Sequence, residues 1–263
     1  MLGQSIRTKI VDDLLGAYES RKPIALPTAT YPGMDIEDAY RIQEEFVRRR
    51  LAAGRRIKGY KVGLTSKPMQ EMAGSSEPDF SAITDDLFLP EGDSYPMSRF
   101  FTPMIEIEIA FVMKHALKGP GVLPVDVIRA TDFILPAIEL VDMRVARAPG
   151  LNIIDSVADL AFCGAVVLGA NPRPLDAIDV RRVNGSIIRN GKTELTGEAS
   201  AVLGNPVTSV AWLANKLGEF GVTFEPGHVI LTGSFVRALP VQAGDDIVCR
   251  FDQGLGDVEV SFV

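Results

Sequence analysis

The chain of 263 residues is poor in the groups that build soft-metal, redox and thiol sites: two cysteines, two histidines and one tryptophan. Cys163 and Cys249 lie in separate apolar runs without a nearby histidine, so they read as core thiols and not as a disulfide, a zinc site or a nucleophile. His115 and His228 stand alone near turns and read as structural or solvated. Positive charge is also in deficit. Thirty-four acidic against 27 basic residues leave a net charge of −7, which argues against nucleic acid or an anionic membrane as partner. The basic cluster at Arg48, Arg49, Arg50, Arg55 and Arg56 shares its helix with Glu44 and Glu45 and reads as a solvated face. Long apolar runs are missing too. The longest, 160–170, holds two glycines and is too short to span a bilayer, and residues 1–10 lack the apolar core of a signal peptide. A soluble, cytoplasmic protein is the expectation. No Gly-x-Gly-x-x-Gly opens a helix, no phosphate loop occurs, and there is no repeat or low-complexity linker, which leaves dinucleotide and NTP-binding folds without support.

What is present divides into two characters. Apolar spacing at Ile6, Ile10, Leu14 and Tyr18 predicts a helix over 5–21. A second helix starts at Asp35, an N-cap with Asp38 at the third helical position, and ends at Gly54. Beyond residue 57 short strand-like runs alternate with glycine and proline turns. Strands are predicted at 59–65, 105–113, 133–141, 164–168, 180–189, 229–232, 246–251 and 258–263, and helices at 125–130, 154–161 and 207–218. Asn190-Gly191 carries the signature of a two-residue hairpin turn, and 253–256 joins the last two strands. Trp212 falls on the apolar face of the last helix and reads as core.

Carboxylates in unusual surroundings carry the chemistry. Glu106 and Glu108 alternate with Ile105, Ile107 and Ile109, which spells a strand with one apolar and one acidic face. Two carboxylates roughly 6 Å apart on one face repel by about 3 kcal/mol at an effective dielectric near 20. Glu139 sits in a second apolar run, 133–142, where a lone charge is costly. A solvated antiparallel strand would show the same alternation as Glu106 and Glu108, but that reading does not account for Glu139. Three carboxylates without histidine or cysteine suit a hard oxygen-seeking cation, Mg²⁺ first and Mn²⁺ next. Lys61 stands between Gly59 and Gly63, where small neighbours let a ligand approach; a solvated strand lysine is the alternative. Asp79 follows Pro78 and reads either as an acid/base group or as a turn or N-cap residue. Ser234 lies at a strand end, where its hydroxyl and nearby backbone donors could meet a substrate carboxylate, and it is not in a nucleophile elbow.

Six segments stand in an order that resembles the hydratase/decarboxylase branch of the fumarylacetoacetate hydrolase superfamily: Lys58-Gly-Tyr-Lys-Val-Gly-Leu-Thr-Ser-Lys67, Ser76-Glu-Pro-Asp79, Ile105-Glu-Ile-Glu108, Pro136-Ala-Ile-Glu-Leu-Val-Asp142, Val210-Ala-Trp-Leu-Ala-Asn215 and Leu231-Thr-Gly-Ser-Phe235. The likeness covers almost the whole chain, including 31–40 in the helical arm. It implies an α+β fold, a mixed β-roll or sandwich over 57–263 with a helical arm over 1–56. It implies Glu106, Glu108 and Glu139 as ligands of Mg²⁺, Lys61 as an active-site cation, Asp79 as the acid/base group, and Thr65, Leu160 and Ser234 as substrate-binding candidates. The implied activity is hydration of a 2-hydroxy-2,4-dienoate or 2-oxo-enoate, 2-oxohept-4-ene-1,7-dioate foremost, in aromatic meta-cleavage catabolism, by a homo-oligomer that is often a decamer. Decarboxylation of 2-oxo-3-hexenedioate and hydration of 2-hydroxypenta-2,4-dienoate are the alternatives. Hydrolytic carbon–carbon cleavage would need a His–Glu pair that is not evident. A non-catalytic acid-binding or assembly protein on the same fold would be expected to have lost a glutamate or Lys61, and all four are present. Three departures bear on the far end of the substrate. Asp159-Leu160-Ala161 replaces an Asp-Asn-Ala sequence, the segment 143–153 is shorter than in relatives, and Tyr60 stands in place of the histidine of a Lys-Gly-His-Lys pattern.

Overall fold

Apolar residues at helical spacing form the first elements, as the sequence predicts. In the computed structural model, which describes residues 1–263 apart from the side chain of Met72, α1 spans Gln4–Ser20, α2 Pro27–Thr30 and α3 Ile36–Ala52. Asp35 caps α3, accepting from the Asp38 N–H while the Asp38 carboxylate returns to the Asp35 N–H. Ile10 and Leu14 of α1 and Ile42 and Phe46 of α3 are buried together with Met143, Val145, Val157 and Leu160. The arm therefore shares its apolar cluster with the stretch 143–162. Four further helices are α4 (Lys67–Ala73), α5 (Pro124–Ala130), α6 (Ile153–Ala158) and α7 (Pro206–Gly218).

The strands are β1 (Ile57–Gly63), β2 (Asp79–Thr84), β3 (Phe88–Leu89), β4 (Ser94–Tyr95), β5 (Met104–Met113), β6 (Thr131–Val141), β7 (Cys163–Leu168), β8 (Asn184–Arg189), β9 (Lys192–Glu198), β10 (Val229–Leu231), β11 (Leu239–Pro240), β12 (Asp246–Phe251) and β13 (Gly256–Phe262). They make two mixed sheets. The larger runs β2-β1-β10-β5-β6-β7-β3 with β11 beside β5, and the smaller runs β4-β13-β12-β8-β9. Ile105, Ile107 and Ile109 of β5 and Ile138 and Leu140 of β6 bury against Ile187, Ile247, Cys249, Val258 and Val260 of the smaller sheet. A Cβ on Gly185 would stand 2.6 Å from Ile107 Cδ1, so that glycine permits the close approach of the sheets. The isoleucine face is thus the interior of a two-sheet α+β fold, as expected. The opposite face of β5 points away from the smaller sheet and carries the glutamates.

Several local expectations are corrected. Residues 180–182 form a 3₁₀ turn capped by Asp179, and the strand begins only at Asn184. The helix predicted over 154–161 ends at Ala158, and Leu160, Ala161 and Phe162 then take left-handed φ values of 55°, 46° and 57°. Arg50 is not solvated: it is buried, with two bonds to Asp86 of 2.6 and 2.7 Å and one to Thr84. The hairpin at Asn190-Gly191 has φ of 50° and 79°, as a primed turn requires. Cys163 and Cys249 are free and buried, and among the described residues no helix is long and apolar enough to cross a membrane.

Candidate active site

Glu106 pairs directly with Glu139 across the antiparallel strands β5 and β6, and Glu108 follows two residues along β5. Paired residues and residues two apart share a face, so one sheet surface presents three carboxylates. One oxygen from each lies within 4.8 Å of the others. At that separation and an effective dielectric near 20, each pair of ionised groups repels by roughly 3 kcal/mol. Solvent does not relieve this repulsion, because Glu108 and Glu139 are both at 0% exposure. The alternative of a solvated strand is excluded.

Protein donors satisfy only part of the cluster. Glu108 Oε2 accepts from the Gly233 N–H at 2.6 Å, and Glu139 Oε1 accepts from Lys61 Nζ at 2.9 Å. Glu108 Oε1 and Glu139 Oε2 are buried without any hydrogen-bond partner, a costly arrangement in a dry interior. Among the described residues, Lys61 is the only cation that meets the cluster directly, against the three glutamates and the nearby Asp79. An all-oxygen donor set with excess negative charge and two unpaired oxygens fits a hard divalent cation.

The titration of these groups shows the same imbalance. Burial, then the Glu139 charge, pushes the Glu106 carboxyl up to about 8. The same two causes hold Glu108 well above the usual carboxylate range. For Lys61 burial pulls the other way, but the Glu139 and Asp79 carboxylates outweigh it, so the ammonium stays charged beyond the ordinary lysine range. Asp79 is raised mainly by burial, against the lowering effect of Lys61.

Backbone geometry places Lys61 and Asp79 side by side. Asp79 opens β2 opposite Gly63, and a Cβ on Gly63 would overlap Asp79 Oδ1 and come within 3.6 Å of Lys61 Nζ. Asp79 Oδ2 accepts from Ser156 Oγ at 3.3 Å, while Oδ1 has no partner. Lys61 Nζ also donates to the carbonyl of Ala161 at 2.7 Å, inside the left-handed turn 160–162. Arg144, itself fully buried, pins that turn by an ion pair to the Asp159 carboxylate and bonds to the Asp159 and Cys163 carbonyls and the Tyr18 hydroxyl.

Lys61, Asp79 and Glu106 line one cavity of about 510 Å³, with Met104, Val141, Met143, Leu151 and Phe162 among its walls. Glu108 and Glu139 stand behind Glu106. The three substrate-binding candidates do not line this cavity. Thr65 packs on Gly233, whose N–H holds Glu108, Ser234 Oγ donates to the Val236 carbonyl, and Leu160 is buried in the arm's cluster. The histidines stay apart from these groups: His115 is exposed and His228 Nδ1 accepts from the Glu225 N–H. Sequence reasoning missed Ser156, the Ala161 carbonyl, Arg147 and Arg237. The first two announce themselves by no local pattern; Arg147 lies in the stretch 143–153 already singled out, and Arg237 lies two residues beyond the segment 231–235.

Residues 59–263 match the family model described as fumarylacetoacetate (FAA) hydrolase, C-terminal. The chain is 41% identical, over all of both chains, to a 2-oxo-hept-4-ene-1,7-dioate hydratase of Escherichia coli. It is 39% identical to a 2-hydroxyhexa-2,4-dienoate hydratase of Comamonas testosteroni, over 95% of this chain and 94% of the other. Among solved structures it resembles a 4-oxalocrotonate decarboxylase from Pseudomonas putida G7, complexed with magnesium and adipate, with a TM-score of 0.95, 35% identity, and coverage of 100% of this chain and 99% of that one.

Proposed function

Because the chain belongs to the fumarylacetoacetate hydrolase family, we propose that it is a divalent-metal-dependent hydratase. It adds water to a 2-hydroxy-2,4-dienoate or its 2-oxo-enoate form, 2-oxohept-4-ene-1,7-dioate foremost, in the meta-cleavage catabolism of aromatic compounds. The observation that carries this reading is a cluster of three carboxylates with two unpaired buried oxygens, set beside a charged lysine and a partly unpaired buried aspartate in one cavity.

Glu106, Glu108 and Glu139 would hold Mg²⁺, or Mn²⁺ in its place. Such an ion, when bound, supplies Lewis acidity toward a 1-carboxylate and 2-oxo group and stabilises negative charge on the 2-oxygen. The remaining work falls to the chain itself. Lys61 spends two of its three N–H donors on Glu139 and the Ala161 carbonyl, which leaves one for the substrate's 2-oxygen as charge develops there. Asp79, raised by burial and free at Oδ1, holds and returns a proton during ketonisation of the dienol and activates the water that adds at C4. Ser156 orients Asp79 through Oδ2. Thr65 acts one step back, by seating Gly233 under Glu108, and Ser234 braces the same turn.

Decarboxylation of 2-oxo-3-hexenedioate has the likeness to the solved decarboxylase in its favour, at 35% identity. The identity of 41% to a hydratase over the whole of both chains favours hydration. A product assay separates them. Incubation of the protein with 2-hydroxyhepta-2,4-dienedioate and Mg²⁺ is expected to remove the diene absorbance with a mass gain of one water. Chelation by EDTA should abolish turnover, and added Mg²⁺ should restore it. Release of CO₂ without that mass gain would replace hydratase by decarboxylase. Residues 57–263 form the catalytic part and 1–56 the helical arm. The protein works in the cytoplasm as a homo-oligomer, up to a decamer; the exposed Leu123, Val125 and Ile128 on and beside α5 offer an apolar face for contact between copies.

A further inference from the structure

The cavity that opens on Glu106 and Lys61 bears two arginines, Arg147 and Arg237. Arg50, Arg144, Arg189 and Arg250 each pair with a carboxylate; among the described residues these two do not. Their positions differ in a way that matters. Met104 lies two residues before Glu106 on the same face of β5, so about 7 Å of strand separates the two. Arg147 Nη1 stands 3.6 Å from Met104 Sδ. Between them the wall is apolar, from Met104, Val141, Met143 and Leu151. Read outward from the glutamates, the cavity offers an acid-binding end, an apolar middle and a guanidinium. That spacing is about the span of the carbon chain between the two carboxylates of a heptenedioate. Arg237 reaches the cavity differently. It stands two residues before Leu239, which pairs with Ile105 next to Glu106, so its backbone lies toward the glutamate end of the cavity that it lines.

On the reading of this cavity as a 2-oxo acid site, we propose that Arg147 receives the distal carboxylate of a dianionic substrate, so that the protein selects 2-oxo dicarboxylates over the monocarboxylates of the same reaction class. A guanidinium offers a carboxylate two parallel N–H donors. Arg147 is exposed, so a monoacid leaves its guanidinium to water and gains nothing from it, whereas a diacid adds a charge-assisted pair. Arg237 meets the end that both kinds of substrate share and does not discriminate.

The test is calorimetric binding to the Mg²⁺-loaded protein of 2-oxoadipate and 2-oxohexanoate, six-carbon acids that lack the double bond to which water adds. The unaltered protein should bind the diacid at least about tenfold more tightly. Arg147→Gln should remove that preference by weakening the diacid alone, Arg147→Lys should keep part of it, and Arg237→Gln should weaken both acids alike. Equal binding of the two acids by the unaltered protein, survival of the preference in Arg147→Gln, or its loss in Arg237→Gln would overturn the proposal. Turnover gives a second reading. For Arg147→Gln, kcat/KM should fall about tenfold or more on 2-hydroxyhepta-2,4-dienedioate and stay within about twofold on 2-hydroxypenta-2,4-dienoate. Because the binding acids are unreactive, failure of the hydratase reading leaves the binding result standing.

Discussion

Gly63 shows how little space the site leaves. It faces Asp79 across β1 and β2, and any Cβ there would displace the carboxylate whose free oxygen is to handle a proton. Gly63→Ala is therefore expected to lower kcat by about 100-fold, the scale on which small misplacements act, while Mg²⁺ affinity measured by titration stays within a few fold because Glu106, Glu108 and Glu139 lie on other strands. A matching loss of Mg²⁺ affinity would show that Asp79 belongs to the metal end. The same residue-scale logic explains why Lys61 was legible in the sequence and its partners were not. Flanking glycines mark a close approach. No spacing along the chain says that Ala161, 100 residues away, will lend its carbonyl.

Elements with a strong period could be read from the sequence, and those whose form depends on distant partners could not. β5 follows from the Glu–Ile alternation and α3 from its capping box. β2 begins at Asp79, directly after Pro78, where local chemistry suggests a turn; its strand form comes from pairing with β1. Arg50 looks like one more charge on a helix until Asp86, 36 residues on, is brought against it. The stretch 143–162 is the clearest case, because three successive non-glycine residues are held in a left-handed turn, each at a cost of order 1–3 kcal/mol. Arg144 is the brace that holds it. Arg144→Met would leave Asp159 buried and unpaired, and a loss of about 3–5 kcal/mol in unfolding free energy is expected. Urea denaturation followed by circular dichroism measures it; a loss below about 1 kcal/mol would show that the ion pair does not hold the turn.

At the scale of the molecule, the helical arm and the carboxylate cluster are separate in sequence yet meet at one place. Phe46 of α3 packs in the cluster that contains Leu160, one residue from the carbonyl that holds Lys61. Phe46→Ala should cost about 3–5 kcal/mol of stability. It should also reduce turnover under conditions where the protein is still fully folded, which fluorescence and activity measured on the same sample would reveal; unchanged turnover would separate the arm from the site. The left-handed turn at 160–162 then has a consequence for how such chains can be recombined. An arm taken from a relative would arrive without the counterpart it was shaped against. Residues 1–56 are thus not a cassette that can be exchanged alone; a working chimaera has to carry the stretch 143–163 across together with the arm, as a single inherited piece made of two distant segments of sequence.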